Sequence, residues 1–502
     1  MTTVPSKSDV AFDTQVVIVG AGAAGLAASY LLHNSGMRQI IILEAKNRIG
    51  GRIWKSELKA NLLKHKTIEN KDGSLKFQSK PFVCHVDLGA NWIHNLDDSN
   101  FCVEICKKFG FKWKETSSDD SPDPSDVFLF QNQNKIPDEK FQLVRNAIDK
   151  AKQILDEKFE KNQLEDLRHM NVEQAIRHTI YNTLDFNSNQ DEELDLIFRW
   201  FMDRIGINLA QHPQLVPLTQ WLDQEEDAEN GEVLVYGGFF QLVEAISKNA
   251  NVLYNKTVVS IETIIQPQER KVKVTTADGQ IYLASACIVT APPPAIAQIA
   301  FLPPLPVPKM EAIQKMEMGV LNLVVLLYPT LFWPEKINFI GSLDAQCTFQ
   351  SSGIGVEDTK LRKITTAPSF PLFLNLYPMC GRPILMCQTF GEFAKYIETI
   401  GVEEVARLAT QQLRKTFPIA PDAIGCKRTK WNSDKFAGGS YFVVTKTSTL
   451  DKCDILAESV HDAIFFAGEA SHRRLNGLVH GAIDSGFREA KKVLDLNLKS
   501  RI

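Results

Sequence analysis

Residues 14–25 read TQVVIVGAGAAG, and residues 39–44 read QIIILE. The unbroken run Val16-Val17-Ile18-Val19 predicts a buried strand. Gly20, Gly22 and Gly25 follow in G-x-G-x-x-G spacing, and a helical run extends to about Asn34, where Ser35-Gly36 stops it. Gln39–Leu43 is the next strand, with Glu44 at its carboxyl end, nineteen positions beyond Gly25. Strand, glycine turn, helix, strand and terminal acid together open a dinucleotide-binding βαβ unit. Gly20 permits the tight turn, Gly22 lets backbone N–H groups approach a pyrophosphate, and Gly25 brings helix and strand together. Ala24, in the same turn, belongs with them. The helix amino end favours anionic phosphates, and Glu44 is placed to accept hydrogen bonds from a ribose diol. The glycines alone would also suit a turn that binds no nucleotide.

Directly after Glu44 comes Ala45-Lys46-Asn47-Arg48-Ile49-Gly50-Gly51-Arg52. Gly51 and its neighbours form a second cradle for the same pyrophosphate, with Arg52 as a forked donor.

The rest of the composition sets bounds. A length of 502 residues suggests roughly three domains or two large ones. With 56 Lys and Arg against 60 Asp and Glu, the net charge is −4, too weak a field for nucleic acid to be the expected partner. The uncharged, apolar stretch Val16–Leu32 carries three glycines and reads as part of the nucleotide site rather than a membrane helix. The polar first thirteen residues carry no signal-peptide pattern, and the last twelve are too charged to anchor in a bilayer. No membrane association is expected. The nine cysteines are scattered, without a C-x-x-C pair, so reduced thiols and no metal site are expected.

Along the chain, Lys55–Val83 is a polar, lysine-rich excursion and Asp119–Asp126 an acidic, proline-punctuated loop. Helical composition dominates from Asp138 to Trp200. Strands alternate from Val252 to Thr290 and end at the Pro292-Pro293-Pro294 turn. The chain closes with a strand at Ala463–Ala467 and a helix from about Gly477. Gly477, Gly481 and Ser485 would give that helix one small face. The expected class is mixed α/β, with two interleaved domains. A Rossmann-like nucleotide domain takes residues 13–94, 228–300 and 425–502. A substrate domain with a mixed sheet flanked by helices takes 95–227 and 301–424.

G-x-G-x-x-G followed by Glu44 and R-x-G-G-R resembles the opening of the flavin-containing amine oxidases. Further segments are similar in the same order. They are Asp87-Leu88-Gly89-Ala90-Asn91-Trp92-Ile93-His94, Val252–Val289, Phe301–Pro306, Trp431 with Gly439-Ser440-Tyr441, Phe466–His472, and Gly477–Ala482. The resemblance covers roughly residues 14–490. It implies FAD as cofactor, a small-molecule amine and O2 as substrates, and hydride transfer to the flavin followed by imine hydrolysis and peroxide release. Ala90, Asn91 and Trp92 would lie beside the flavin, the Val258 backbone would face adenine, and Trp431, Gly468 and Glu469 would complete the cofactor site. Leu478 and the Val479 N–H would stand near the flavin ring, where the helix dipole stabilises negative charge.

Four positions sort the subgroups that the resemblance covers. Ser440 stands where monoamine oxidases carry the cysteine that binds flavin, so FAD should be non-covalent. Tyr441 matches one tyrosine of their aromatic cage, but Leu478 replaces the other. His94 is similar to the tunnel histidine of polyamine and spermine oxidases, where an imidazole can bond a substrate nitrogen. Leu323 stands at the family's catalytic lysine and can neither donate a hydrogen bond nor supply charge. Trp92, His94 and Tyr441 are the expected substrate-side residues, and Leu323 marks altered chemistry.

Two acidic clusters, Asp119/Asp120/Asp123/Asp126 and Asp223/Glu225/Glu226/Asp227/Glu229, are candidate polycation attractors or plain solvated loops. The expected activity is oxidation of a polyamine such as spermine or an N-acetylated polyamine. The alternatives are a flavin protein with lost or dehydrogenase-like turnover, an L-amino-acid oxidase or a monoamine oxidase. The chain is expected to be a monomer or homodimer in the cytoplasm. Ser500-Arg501-Ile502 leaves a peroxisomal address as the alternative.

Overall fold

A computed structural model describes residues 11–69, 75–116, 125–183, 191–224, 231–266, 269–343, 349–350, 361–362 and 369–499. Strand β1 (Ala11–Val19), helix α1 (Ala23–Asn34) and strand β2 (Ile40–Leu43) form the opening unit, and Gly36 ends the helical run with φ +91°. β1 lies parallel to β2 on one side and to Ile281–Val289 on the other. Val16 and Ile18 face one apolar core, while Val17 and Val19 face another, which is the alternation of a strand buried on both faces. Val252–Leu253 extends the sheet beyond β2, and the late strand Ile464–Phe466 pairs with Ile281–Val289 in parallel. Val258–Gln266 and Glu269–Thr276 continue it as an antiparallel meander. Early, middle and late segments thus share one mixed sheet, and the fold class is α/β.

A second sheet runs in the order Gly425–Arg428, Leu321–Leu327, Ile384–Phe390, Leu372–Asn375, Phe339–Ser342, Val127–Gln131 and Asn134–Lys135. Leu323, Val325 and Leu327 join the core formed with helices Asp138–Glu160 and Glu192–Asn208. Val324, Leu326 and Tyr328 face helices Gly391–Thr399 and Val402–Thr416. This period-two split sends position 323 toward the interior between the two sheets.

Several expectations are corrected. Gly425–Arg428, assigned above to the nucleotide part, is the edge strand of the second sheet, bonded to Val324–Leu327. The polar excursion is a long hairpin, Lys55–Glu69 with Leu75–Asp87, whose lysines obscure the strand pattern. The triple-proline turn winds into a short helix, Pro293–Ile296, because proline suits a first helical turn. The last helix begins at Val479, so Gly477 precedes it at φ +76° and is not on a shared face with Gly481 and Ser485. Asp119, Asp120, Asp123, Glu225, Glu226, Asp227, Glu229 and the final three residues lie outside the described residues. Among the described residues, no helix is long and apolar enough to cross a membrane, and no group of three His, Cys, Asp or Glu could hold a metal.

Candidate functional site

A cavity of about 480 Å³ is lined by both the glycine turn and the second sheet. Gly20 adopts φ +104°, and a Cβ on Gly25 would sit 2.1 Å from the Gly20 carbonyl oxygen, so neither position accepts a side chain without displacement. A Cβ on Gly22 would meet nothing within 4 Å, because this residue faces the cavity. Gly22 caps helix α1 and offers no side chain to its N–H groups, which leaves the helix amino end to serve an anion. Gly51 packs against Gly22, its added Cβ falling 3.3 Å from the Gly22 Cα. These features suit a dinucleotide pyrophosphate.

Glu44 lines the cavity and is 7% exposed. Its carboxylate accepts from the backbone N–H groups of Ala21 and Lys46, both at 2.8 Å, so it also fixes the glycine turn. Arg52 donates through Nη1 to the Ser440 carbonyl at 3.0 Å and to Glu469 at 2.7 Å. The other Glu469 oxygen accepts from Gly477 N at 2.9 Å and Phe442 N at 3.3 Å. Arg52 and Glu469 therefore clamp three chain segments together at the cavity wall. Gly468 N donates to the Ser485 hydroxyl at 2.9 Å, which holds the closing strand against the last helix.

Val258 lines the cavity beside Lys256 and Thr257. Trp431 is buried, packs edge-on to Trp54 with centroids 6.5 Å apart, and lies under the Lys46 ammonium. A buried network holds its loop. Asn322 Oδ1 accepts from Thr429 Oγ1 and Trp431 N, its Nδ2 donates to Glu398, and Glu398 accepts from Asn432 N and Ser433 N. Ala90, Asn91, Leu478 and Val479 also line the cavity, and Asn91 Nδ2 approaches the Met386 sulfur at 3.3 Å.

On the candidate substrate side, Trp92 donates its indole N–H to Thr116 Oγ1 at 3.3 Å. Tyr441 donates its hydroxyl to the carbonyls of Ile207 and Asn208, at 3.0 and 2.8 Å, so the phenol is tied to the end of helix Glu192–Asn208. Ser440 accepts from Leu321 N at 2.7 Å and donates to Leu321 O at 2.8 Å, so its hydroxyl serves the backbone. Leu323 is buried in the cavity wall, and its backbone is held by Thr429 on both sides.

Two lining residues escape sequence reasoning. Glu232 is 3% exposed, and its Oε1 lies 2.6 Å from His94 Nδ1. The antiparallel pairing of Trp92–His94 with Glu232–Val235 sets His94 directly opposite Glu232, a register that no local pattern announces. Gln388 lies directly across from Leu323 in the second sheet, and both line the cavity. Here a signal exists, since the run ILMCQTF carries an amide inside a mostly apolar buried strand. Asp223, by contrast, is engaged in an ion pair with Arg473, which also pairs with Asp454.

Comparison with known proteins adds the following. The family description "Flavin containing amine oxidoreductase" matches residues 23–494. The chain is 30% identical over 478 residues to a probable polyamine oxidase 4 of Arabidopsis thaliana, covering 94% of this chain and 85% of that protein. It is 27% identical to polyamine oxidase 4 of Oryza sativa subsp. japonica, covering 95% and 87%. It is 28% identical to a lysine-specific histone demethylase 1 homolog of the same rice, of which it covers 57%. A redesigned putrescine oxidase double mutant has a similar structure, with TM-score 0.68, 18% identity, and 97% and 100% of the two chains covered.

Proposed function

The chain belongs to the flavin-containing amine oxidoreductase family, with FAD as its cofactor, and on that premise we propose that it oxidises a polyamine. The observation that carries this reading is the His94–Glu232 pair in the wall of the cavity that the glycine turn also lines. An extended amine with more than one nitrogen has a distal cation for a buried carboxylate to hold, whereas a simple monoamine has none. Similarity to plant polyamine oxidases supports the same substrate class. Spermine and N-acetylated polyamines are the proposed substrates.

FAD, when bound, would supply the two-electron acceptor for amine oxidation and the reduction of O2 to peroxide. The protein's residues do the rest. Trp92, Leu323 and Tyr441 make the wall largely apolar, which favours the neutral amine that can release hydride, because desolvation penalises the ammonium form. The carboxylate of Glu232 orients the His94 ring through Nδ1 and so positions a second nitrogen of the substrate. Arg52, held by Glu469, and the amino end of α1 hold the cofactor's phosphates. FAD is non-covalent in this reading, since the Ser440 hydroxyl is committed to Leu321. The Gln388 amide, opposite Leu323 in the cavity wall, is the polar group placed to bond a water for hydrolysis of the imine to aldehyde and amine.

A dehydrogenase-like variant is the second reading, favoured by the leucine at 323. The test is the yield and rate of peroxide from the purified holoprotein given spermine, N-acetylspermine, a monoamine and an L-amino acid. Polyamine-dependent peroxide supports oxidase turnover, and none with any of them contradicts it. Leu323→Lys is expected to speed reoxidation of reduced flavin by about tenfold or more, the scale of one positioned electrostatic group. An unchanged rate would count against the assignment of position 323.

A further inference from the structure

Strands β2, β1 and Ile281–Val289 lie side by side in parallel, so their carboxyl ends share one edge of the first sheet. The Gly20–Gly22 turn leaves the middle strand at that edge. Segment Glu44–Arg52 leaves one outer strand, and Thr290–Ile299 leaves the other. A ligand of such a sheet sits outside the carboxyl ends of its strands. Here that places it over the glycine turn, between the two outer segments.

The tip of the loop between Trp431 and Ser440 bridges the same gap. From one flank the Lys46 ammonium pairs with the Asp434 carboxylate, their side chains 22% and 19% exposed. From the other flank Gln298 Nε2 donates to the Lys435 carbonyl at 3.2 Å and to the Pro294 carbonyl at 3.0 Å. The tip itself is a firm turn. Asp434 Oδ1 accepts from Phe436 N at 3.0 Å, and the Asp434 carbonyl accepts from Ala437 N and Gly438 N at 3.0 and 2.8 Å. Gly438 and Gly439, at φ +66° and +146°, form the joint behind it. Lys435 is exposed to solvent, whereas Lys46, Gln298, Phe436 and Ala437 line the cavity. The tip is therefore a thin wall between the cavity and water.

We propose that Asp434–Ala437 is a latched cover over the FAD site, fastened by Lys46 on one flank and Gln298 on the other, and that FAD enters and leaves when it opens. The stems of the loop are held independently of the latches. Asn322 and Glu398 secure the Trp431 end, and Arg52 bonds the Ser440 carbonyl at the other. Only the tip depends on two side chains reaching in from the flanks. Both latches join protein to protein, so weakening either lowers the barrier to FAD in both directions. Loss of a direct contact to FAD would instead speed release and leave entry alone. The inference rests on FAD as cofactor and is independent of which amine is oxidised.

The test measures FAD entry by mixing apoprotein with FAD, and FAD release by diluting holoprotein, with flavin fluorescence as the readout of both. Lys46→Met should speed entry and release together by about tenfold or more, the scale of a charged hydrogen bond. Gln298→Leu should speed both by about threefold or more, the scale of a neutral one. In Gln298→Leu, Kd, the ratio of the two rates, should stay nearly unchanged. Asp434→Asn keeps an acceptor for Phe436 N, and so the turn, but loses the charge. It should behave as Lys46→Met does, and the double variant should be no faster than either, because the pair is one latch. Lys46→Met combined with Gln298→Leu should multiply the two effects, because they are separate latches. Faster release with unchanged entry would mark these residues as plain FAD contacts and overturn the proposal. Unchanged rates in Gln298→Leu and Asp434→Asn, both folded by circular dichroism, would overturn it equally. A holoprotein that oxidises no amine would contradict the functional reading but leave these rates as they are.

Discussion

Glu232 and His94 face each other across two antiparallel strands, with the carboxylate almost wholly removed from water. Hydrogen bonds that involve a charged group are worth about 1.5–3 kcal/mol, so Glu232→Gln should raise KM for a polyamine by about ten- to a hundredfold. Flavin content should stay unchanged, since the Glu232 carboxylate is directed to His94 while Gly22, Gly51 and Arg52 build the phosphate cradle. An unchanged KM would show that the pair is structural. Individual residues were unevenly legible in the sequence. Glu44 and Glu469 stand out by motif, yet both already accept backbone N–H groups, a task no motif describes. Glu232 was silent because its meaning is a strand register. Leu323 was visible as an absence, but its neighbour Gln388 becomes meaningful only once the second sheet pairs them.

At the scale of elements, the last helix packs directly on α1. A Cβ added to Gly486 would sit 2.3 Å from the Ala24 carbonyl oxygen. Gly486→Ala should push the two helices apart, cost about 1–3 kcal/mol as an overpacked contact, and loosen the cofactor turn. Thermal unfolding together with flavin release on dilution checks this, and an unchanged midpoint with full flavin retention would contradict it. Asp87 offers a test by pH. It accepts from Phe239 N at 2.8 Å at the head of helix Phe240–Ser247, and burial nevertheless pushes its carboxyl up to about 6.

A carboxyl whose folded pKa is raised binds more protons when folded. Its contribution to stability is therefore complete below the unfolded value of about 3.9 and lost as pH rises through about 6. Asp87→Asn should flatten this window in a melting-temperature series, and parallel curves for the two proteins would refute the assignment. The opening βαβ unit was readable because its strand, glycines and acid are local. The Lys55–Asp87 hairpin was not, since its lysines break the apolar alternation of its strands. Gly425–Arg428 was assigned to the other sheet for a similar reason, because sequence order does not reveal edge pairing.

The whole molecule brings its chemistry into one cavity of about 480 Å³ by weaving distant segments around it. Arg52 reaches residues 440 and 469, Asn322 and Glu398 secure the loop of Trp431, and the last helix begins at the same wall. The central claim is that this cavity holds FAD against a polyamine positioned by His94 and Glu232. The most direct measurement mixes the purified yellow protein with spermine and N-acetylspermine under anaerobic conditions and follows flavin absorbance. Loss of the oxidised flavin band with a polyamine, faster than with a monoamine or an L-amino acid, is the predicted result. A flavin that stays oxidised with every amine would contradict the account.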